Sequence, residues 1–343
     1  MNDLLLEIND LRVHFMTDEG AVRAVDGVDL TVYRGRTLCV VGESGCGKSV
    51  TARAILQIVH RPGRILGGSI VYHRSRPDGS TDPVDIVTLD PKGRAIRQIR
   101  GGEIAMIFQE PMTSLSVHYT IGDQIGEAVR LHNNVSKQEA RSRAVELLRR
   151  VRIPRPERLV DEYPFRLSGG MRQRAMIAMA LACGPSLLIA DEPTTALDVT
   201  TQAQILDLML DLQREDGMGI IFITHDLGVV AEIADDVAVM YLGNVVEYAD
   251  VFTIFNAPKH PYTQALLRSI PKIAPTREPL DPIAGMVPSP FKRPKGCSFH
   301  PRCIQSIAGR CNVTTPIPIV VGHGHSASCL LYSEQAAPAE VIL

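Results

Sequence analysis

Gly42-Glu43-Ser44-Gly45-Cys46-Gly47-Lys48-Ser49 has the spacing G-x-x-x-x-G-K-[ST]. Glycines there let successive backbone N–H groups curl around phosphate oxygens, the lysine neutralises phosphate charge, and the serine hydroxyl can ligate Mg2+. A second chemical stretch is Leu187-Leu188-Ile189-Ala190-Asp191-Glu192, an apolar run ending in two carboxylates. Open α/β sheets bind ligands at such strand ends, so Asp191 is placed to hold Mg2+ and Glu192 to orient or deprotonate an attacking water. The pair alone reads equally as solvated acids, and the phosphate loop upstream argues for chemistry. Between these stretches Ser168-Gly169-Gly170 opens a helical pattern and presents another anion-binding N-terminus.

Near the C-terminus, Cys297, Cys303, Cys311 and Cys329 are spaced C-x5-C-x7-C-x17-C. Four thiolates suit a tetrahedral metal or a [4Fe–4S] cluster, although the paired C-x2-C knuckles of zinc ribbons are missing. Binding would supply folding energy to a segment too short to bury much core. His300, His323 and His325 are substitute ligands or solvated loop histidines. Cys39, Cys46 and Cys183 read as small buried residues.

These groups need rigid supports. Thr37–Val41 is a short apolar run leading into the phosphate loop, and a helical pattern with Val50, Ala54, Ile55, Ile58 and Val59 follows from Lys48. Leu187–Ala190 and Ile220–Ile223 are two more buried-strand patterns, and the helical stretch 199–213 between them restores the β-α-β alternation of a parallel sheet. Residues 4–8, 11–15 and 28–33 read as an antiparallel β layer, 61–100 as a loop-rich insertion, and 237–247 as a hairpin turning at Leu242-Gly243-Asn244. Helical periodicity over 123–151 and 170–182, with Leu131, Val135, Leu147, Leu148 and Val151 apolar, predicts a helical subdomain at about 112–170. Nine of the 23 prolines fall between Pro258 and Pro294, a density that disfavours helix or central strand, so a boundary is placed near 256. The expected domains are 1–255 and 256–343.

The 343 residues, 45% hydrophobic, are ample for a buried core, and 36 Lys+Arg against 38 Asp+Glu argue against binding nucleic acid by bulk charge. No run of eighteen apolar residues is present, acids interrupt the short apolar stretch at the N-terminus, and seven cysteines, an odd number, point to a reducing cytosol.

Leu167-Ser168-Gly169-Gly170-Met171-Arg172-Gln173-Arg174 resembles the signature motif of the ATP-binding-cassette (ABC) ATPases, and other landmarks of that family follow. Gln109 in Phe108-Gln109-Glu110-Pro111-Met112 resembles the Q-loop glutamine, Thr195-Ala196-Leu197-Asp198 the D-loop, and His225 the switch histidine. The resemblance implies an α/β fold of the P-loop NTPase type: a RecA-like parallel sheet with an antiparallel β layer and a helical subdomain, followed by a loop-rich, cysteine-containing C-terminal extension. It implies ATP bound by Gly42, Ser44, Gly45, Cys46, Gly47, Lys48, Ser49 and Val50, with Phe15 stacked on adenine. Mg2+ would be held by Ser49, Gln109 and Asp191, and hydrolysis carried by Glu192, His225 and Gln109. Two cassettes would pair head to tail, so that Ser168, Gly169, Gly170 and Asp198 meet the other subunit's nucleotide.

Without a fused membrane domain or a long coiled-coil insertion, the chain is similar to importer subunits. The stretches 109–115, 168–180 and 190–198 resemble the dipeptide/oligopeptide importer ATPases, in particular their D-type subunit, with Ser116-Val117-His118 departing from the family's Asn-Pro. Gly285-Met286-Val287-Pro288-Ser289-Pro290 and Gly296–Cys303 resemble that branch's C-terminal extension, which implies a [4Fe–4S] cluster on Cys297, Cys303, Cys311 and Cys329, with Zn2+ or free thiols as alternatives. The expectation is a subunit that hydrolyses ATP to energise dipeptide or oligopeptide uptake, peripheral on the cytoplasmic face of the plasma membrane. Its partners would be two permease subunits, a distinct F-type ATPase and an extracytoplasmic substrate-binding protein. Alternatives are the same engine serving nickel chelates or glutathione, and a soluble redox-responsive ATPase.

Overall fold

Thr37–Val41 is buried along its whole length, as a strand covered on both faces must be. The computed structural model describes residues 3–76, 80–109, 114–195, 197–270 and 283–333. Met112, where the helical subdomain was expected to begin, and Ala196 of the expected D-loop lie outside these residues. The chain forms two compact units and passes between them at Leu6, Thr31, Thr37, Val71 and Ile223.

In the first unit, Ile104–Ile107, Leu187–Asp191 and Gly219–Thr224 run parallel, with Ile104 opposite Leu187 and Leu187 opposite Gly219. A side chain at Gly219 would meet Leu5 at 2.7 Å and the Tyr33 carbonyl at 2.9 Å, so glycine is required where that strand starts. The helices Ile121–His132, Lys137–Arg150 and Gly169–Ala180 pack together. Each starts on a hydroxyl cap: Thr120 accepts from the Asp123 N–H, Ser136 from that of Glu139 and Ser168 from that of Met171. Ile121, Ile125, Val129, Ala144 and Leu148 face inward at helical spacing. Leu131, an apolar position of the predicted pattern, instead stands 75% exposed.

In the second unit, Leu38–Val41 runs parallel to Asp236–Tyr241, which continues through an antiparallel hairpin into Asn244–Asp250. From the C-terminal region, His325–Ala327 pairs antiparallel with Asn244–Asp250, and Ile319–Gly322 pairs antiparallel with His325–Ala327. Leu4–Thr17 neighbours both Gly20–Tyr33 and Gly63–Ser75. The thirteen-residue strand Gly63–Ser75 and, in the first unit, Thr81–Asp85 and the helix Arg94–Ile99 replace the expected loop-rich insertion. Its glycines suggest a loop, yet Gly68 (φ +87°) is where two backbones touch, since a Cβ there would sit 2.5 Å from the Asp10 carbonyl oxygen.

Proline density also misleads over 258–268, where Pro261–Arg268 is a helix. Pro261 occupies its first turn, where a missing N–H costs nothing. His260 caps the helix through Nδ1, which accepts from the Tyr262 N–H at 3.1 Å. Burial lowers the His260 imidazole from 6.5 to about 3, which keeps Nδ1 free to accept. An unfolded chain takes up this proton near pH 6.5, so the stability held by neutral His260 is full above that pH and is lost as pH falls from there towards 3. Between pH 7.5 and 5, thermal unfolding of the wild type should lose about 2 kcal/mol of stability to this group. His260→Asn, which keeps an acceptor but cannot titrate, should show a correspondingly flatter dependence of Tm on pH, even from a lower starting value.

Candidate functional site

The phosphate loop joins the end of Thr37–Val41 to the helix Lys48–Ile55. Gly42, Gly45 and Gly47 have φ of +148°, +79° and +106°, a region L side chains rarely occupy. Space is equally restrictive, because a Cβ on Gly42 would lie 2.2 Å from the Met240 carbonyl oxygen and one on Gly47 would lie 2.3 Å from that of Ala24. The helix begins on Gly47 with no side-chain cap, as a helix N-terminus that receives an anion does. Lys48 is buried, and its Nζ donates to the carbonyls of Gly42 (2.7 Å) and Glu43 (3.1 Å). Phosphoryl oxygens are stronger, charge-assisted acceptors than these neutral carbonyls. Phe15 is half-buried with its ring edge against Gly63, where a Cβ would meet it at 2.7 Å.

Glu43, unassigned in the motif, is a junction. Its N–H donates to the Tyr262 hydroxyl at 3.0 Å, and its carboxylate takes two bonds from the Arg302 guanidinium, at 2.7 and 3.0 Å. Neither partner was foreseen. The one available signal was that an acid inside a polyanion-binding loop calls for a cation.

In the first unit, Asp191 ends its strand fully buried. Glu192 follows with φ +47°, a strained conformation for a non-glycine residue and of the kind that clusters at functional sites. Its N–H donates to the Ile223 carbonyl at 2.9 Å, and its Oε2 accepts from Gln109 Nε2 at 3.2 Å and from Thr195 Oγ1 at 3.0 Å. Gln109 and Glu192 are thus brought together, with Thr195 as an additional orienting group. Since the Gln109 amide nitrogen serves Glu192, its carbonyl oxygen is the end suited to a hard cation.

Ser168 and Gly169 are exposed at the start of the signature helix. Gly170 lies against Thr201 of the helix Val199–Asp216, with only 2.7 Å for a Cβ, which binds the signature and D-loop segments closely together. Asp198 is the N-cap of that second helix, accepting from the Thr201 N–H at 3.0 Å and hydroxyl at 2.7 Å. These bonds, the backbone one first, hold its carboxyl below the usual range. His225 is exposed just after Gly219–Thr224 and before the helix Leu227–Ile233, which Asp226 caps.

The expected cluster does not stand. Among the described residues no group of three or more His, Cys, Asp or Glu side chains is arranged to hold a metal ion, and the similar proteins reported below are named for ATP binding and transport alone. This corrects the assignment of Cys297, Cys303, Cys311 and Cys329 to [4Fe–4S], and with it the zinc alternative. All four are free cysteines. Burial raises the thiols of Cys297, Cys303 and Cys329, the last to about 11. The Cys311 sulfur accepts from the Ile307 N–H at 3.3 Å.

A buried strand, a turn only glycine can make and an uncapped helix define a phosphate-binding loop of the P-loop type. A profile described as ABC transporter matches residues 25–195, and one described as oligopeptide/dipeptide transporter, C-terminal region, matches 246–311. The chain is 48% identical over 334 residues to an oligopeptide transport ATP-binding protein of Bacillus subtilis, covering 97% of this chain and 98% of that one. It is 46% identical over 325 residues to a dipeptide transport ATP-binding protein of Escherichia coli, covering 95% and 96%. A dimeric ATP-binding cassette in a post-hydrolysis state, bound to ADP and Pi, superposes with a TM-score of 0.61 at 26% identity, covering 72% of this chain and 99% of that one. The chain therefore belongs to the ATP-binding subunits of ABC transporters, in the oligopeptide/dipeptide branch. Such subunits are ATPases coupled to transport and use ATP with Mg2+. Among the described residues no helix is long and apolar enough to cross a membrane.

Gly47→Ala tests the loop geometry. A Cβ in contact with the Ala24 carbonyl, at a φ that disfavours it, should cost about 2–4 kcal/mol of stability. Chemical denaturation should register that loss, and ATP should no longer raise the unfolding temperature.

Proposed function

We propose that this chain hydrolyses ATP to drive uptake of dipeptides or oligopeptides. It would form a cassette over 1–255 and an extension over 256–343, peripheral on the cytoplasmic face of the plasma membrane. The observation that carries this reading is the near full-length similarity to dipeptide and oligopeptide transport ATP-binding proteins, which includes the C-terminal region as well as the ATPase motifs. The partners would be two permease subunits, an extracytoplasmic substrate-binding protein and a second, distinct F-type cassette.

In this reading the loop N–H groups of Gly42 and Ser44 to Val50 receive the phosphates, Lys48 neutralises their charge, and Phe15 stacks on adenine. Ser49, Gln109 and Asp191 would hold Mg2+, an all-oxygen donor set that suits this hard cation. Bound Mg2+ neutralises charge that develops on the transferred phosphoryl group. Glu192 accepts the proton of the attacking water. Gln109 and Thr195 orient its carboxylate, and the strained backbone sets its direction before substrate arrives. His225 contacts the γ-phosphate side. Ser168, Gly169, Gly170 and Asp198 face the nucleotide of the partner cassette, and the exposure of Ser168, Gly169 and Asp198 at helix starts supports that role. ATP then joins two cassettes, and hydrolysis removes the γ-phosphate contacts that hold them closed.

Glu192→Gln should lower ATP turnover about 100- to 1,000-fold while leaving ATP affinity within about twofold of wild type. Single-turnover hydrolysis and equilibrium ATP binding, measured side by side, check this. Turnover close to wild type would remove Glu192 as the base.

A further inference from the structure

Glu43 is the only acid in the phosphate loop, and it stands five residues before Lys48 in a segment built to accept a polyanion. An uncompensated carboxylate there would repel phosphate at short range. The structure meets this with a cation from far along the chain. Arg302 forks both Glu43 oxygens, at 2.7 Å to Oε2 and 3.0 Å to Oε1, and its side chain is only 4% exposed. The guanidinium is itself fixed. Its Nε donates to the Ala284 carbonyl at 3.0 Å, and its Nη1 lies 3.4 Å from the Tyr241 hydroxyl. Its Cζ lies 5.9 and 6.0 Å from the ring centroids of Tyr241 and Phe299. The backbone of Glu43 is held as well, its N–H by Tyr262 and its C=O by Lys48.

We propose that Arg302 of the C-terminal extension is a positioning residue of the ATP site, holding the Glu43 carboxylate and cancelling its charge so that the phosphate loop accepts ATP. The inference rests on the reading of Lys48 and its loop as the ATP phosphate site. It makes the extension a determinant of ATP affinity, through a contact between residues 259 positions apart.

The sign of two substitutions distinguishes charge cancellation from a simple brace. In the full chain, Arg302→Ala leaves Glu43 unpaired and should weaken equilibrium ATP binding about tenfold, with hydrolysis at saturating ATP within about twofold of wild type. Glu43→Gln breaks the same bridge but leaves the Arg302 cation beside the loop, and should tighten ATP binding about two- to threefold. Arg302→Lys keeps the charge without the fork and should recover most of the loss. Adding Glu43→Gln to Arg302→Ala should do the same. Equal weakening by Arg302→Ala and Glu43→Gln would overturn the proposal in favour of a brace, as would an unchanged ATP affinity in Arg302→Ala. Should Arg302→Ala fail to fold, the opposite effects expected of Glu43→Gln and Arg302→Lys carry the test, and weakening by Glu43→Gln overturns it. Lys48→Ala separates the two readings: if it too binds ATP like wild type, the phosphate-loop assignment fails. If it abolishes binding while Arg302→Ala changes nothing, only the role of Arg302 fails.

Discussion

In the nucleotide-binding unit, two strands and a loop must pass one another with no side chain between them. The carbonyls of Ala24 and Met240 leave 2.3 and 2.2 Å where a Cβ of Gly47 or Gly42 would stand, and Gly243 is equally confined, with Ala24 oxygen 2.9 Å from its would-be Cβ. Backbone hydrogen bonds exploit this closeness. Gly243 donates to the Cys46 carbonyl at 2.9 Å and its own carbonyl accepts from Asp26 at 2.8 Å. The phosphate loop is thereby pinned at its middle, its backbone N–H groups are aimed before any ligand arrives, and the following helix has to start on Gly47. Lys48, at the first position of that helix, inherits its placement from the same contact.

The C-terminal extension is stabilised by what it lies on. Residues 283–333 contain little regular structure, and a segment of that kind needs staples. These are found within the second unit, to which the segment itself belongs. Tyr241, Tyr262 and Phe299 form an aromatic cluster with ring centroids 4.7 to 5.3 Å apart. Glu247, fully buried, accepts from the N–H groups of Lys259 (2.6 Å) and His260 (2.9 Å) and pairs with His325 of the extension at 2.8 Å. Arg293 reaches Asp26 at 2.7 Å, and Tyr332 donates to the Lys259 carbonyl at 3.0 Å. A staple is indeed present in the cysteine-rich region, but it is made of ion pairs and of tilted and edge-to-face rings and not of the metal its thiol spacing suggested.

Motifs whose function lies in the local backbone were legible from the residues alone. G-x-x-x-x-G-K-S demands positive φ at its glycines, Ser168 reads as a helix start and is an N-cap, and Leu187–Ala190 reads as a strand buried on both faces and is one. Each of these depends on neighbours within a few positions. Where the partner is remote, reading failed. Gly67 and Gly68 suggested a loop because nothing in sequence announces the Asp10 carbonyl across the sheet, and Pro261 suggested a break because its place at a helix start depends on His260 being buried. The four cysteines have spacing but no shared geometry in sequence.

By itself, then, the sequence determined the phosphate loop, the acid pair at the end of its strand, the signature helix and the family to which they belong. The loop and the acid-tipped strand are set by short-range backbone conformation and the alternation of apolar residues, whereas the signature and the family were identified by the resemblance of their motifs. Only the tertiary structure decided that Gln109 and Thr195 orient Glu192 and that Arg302 answers Glu43. It also decided that buried Glu247 is met by His325. The reason is physical: a charge or hydrogen-bonding group specifies what kind of partner it needs, while the identity of that partner is set by which distant segment the folded chain brings within about 3 Å.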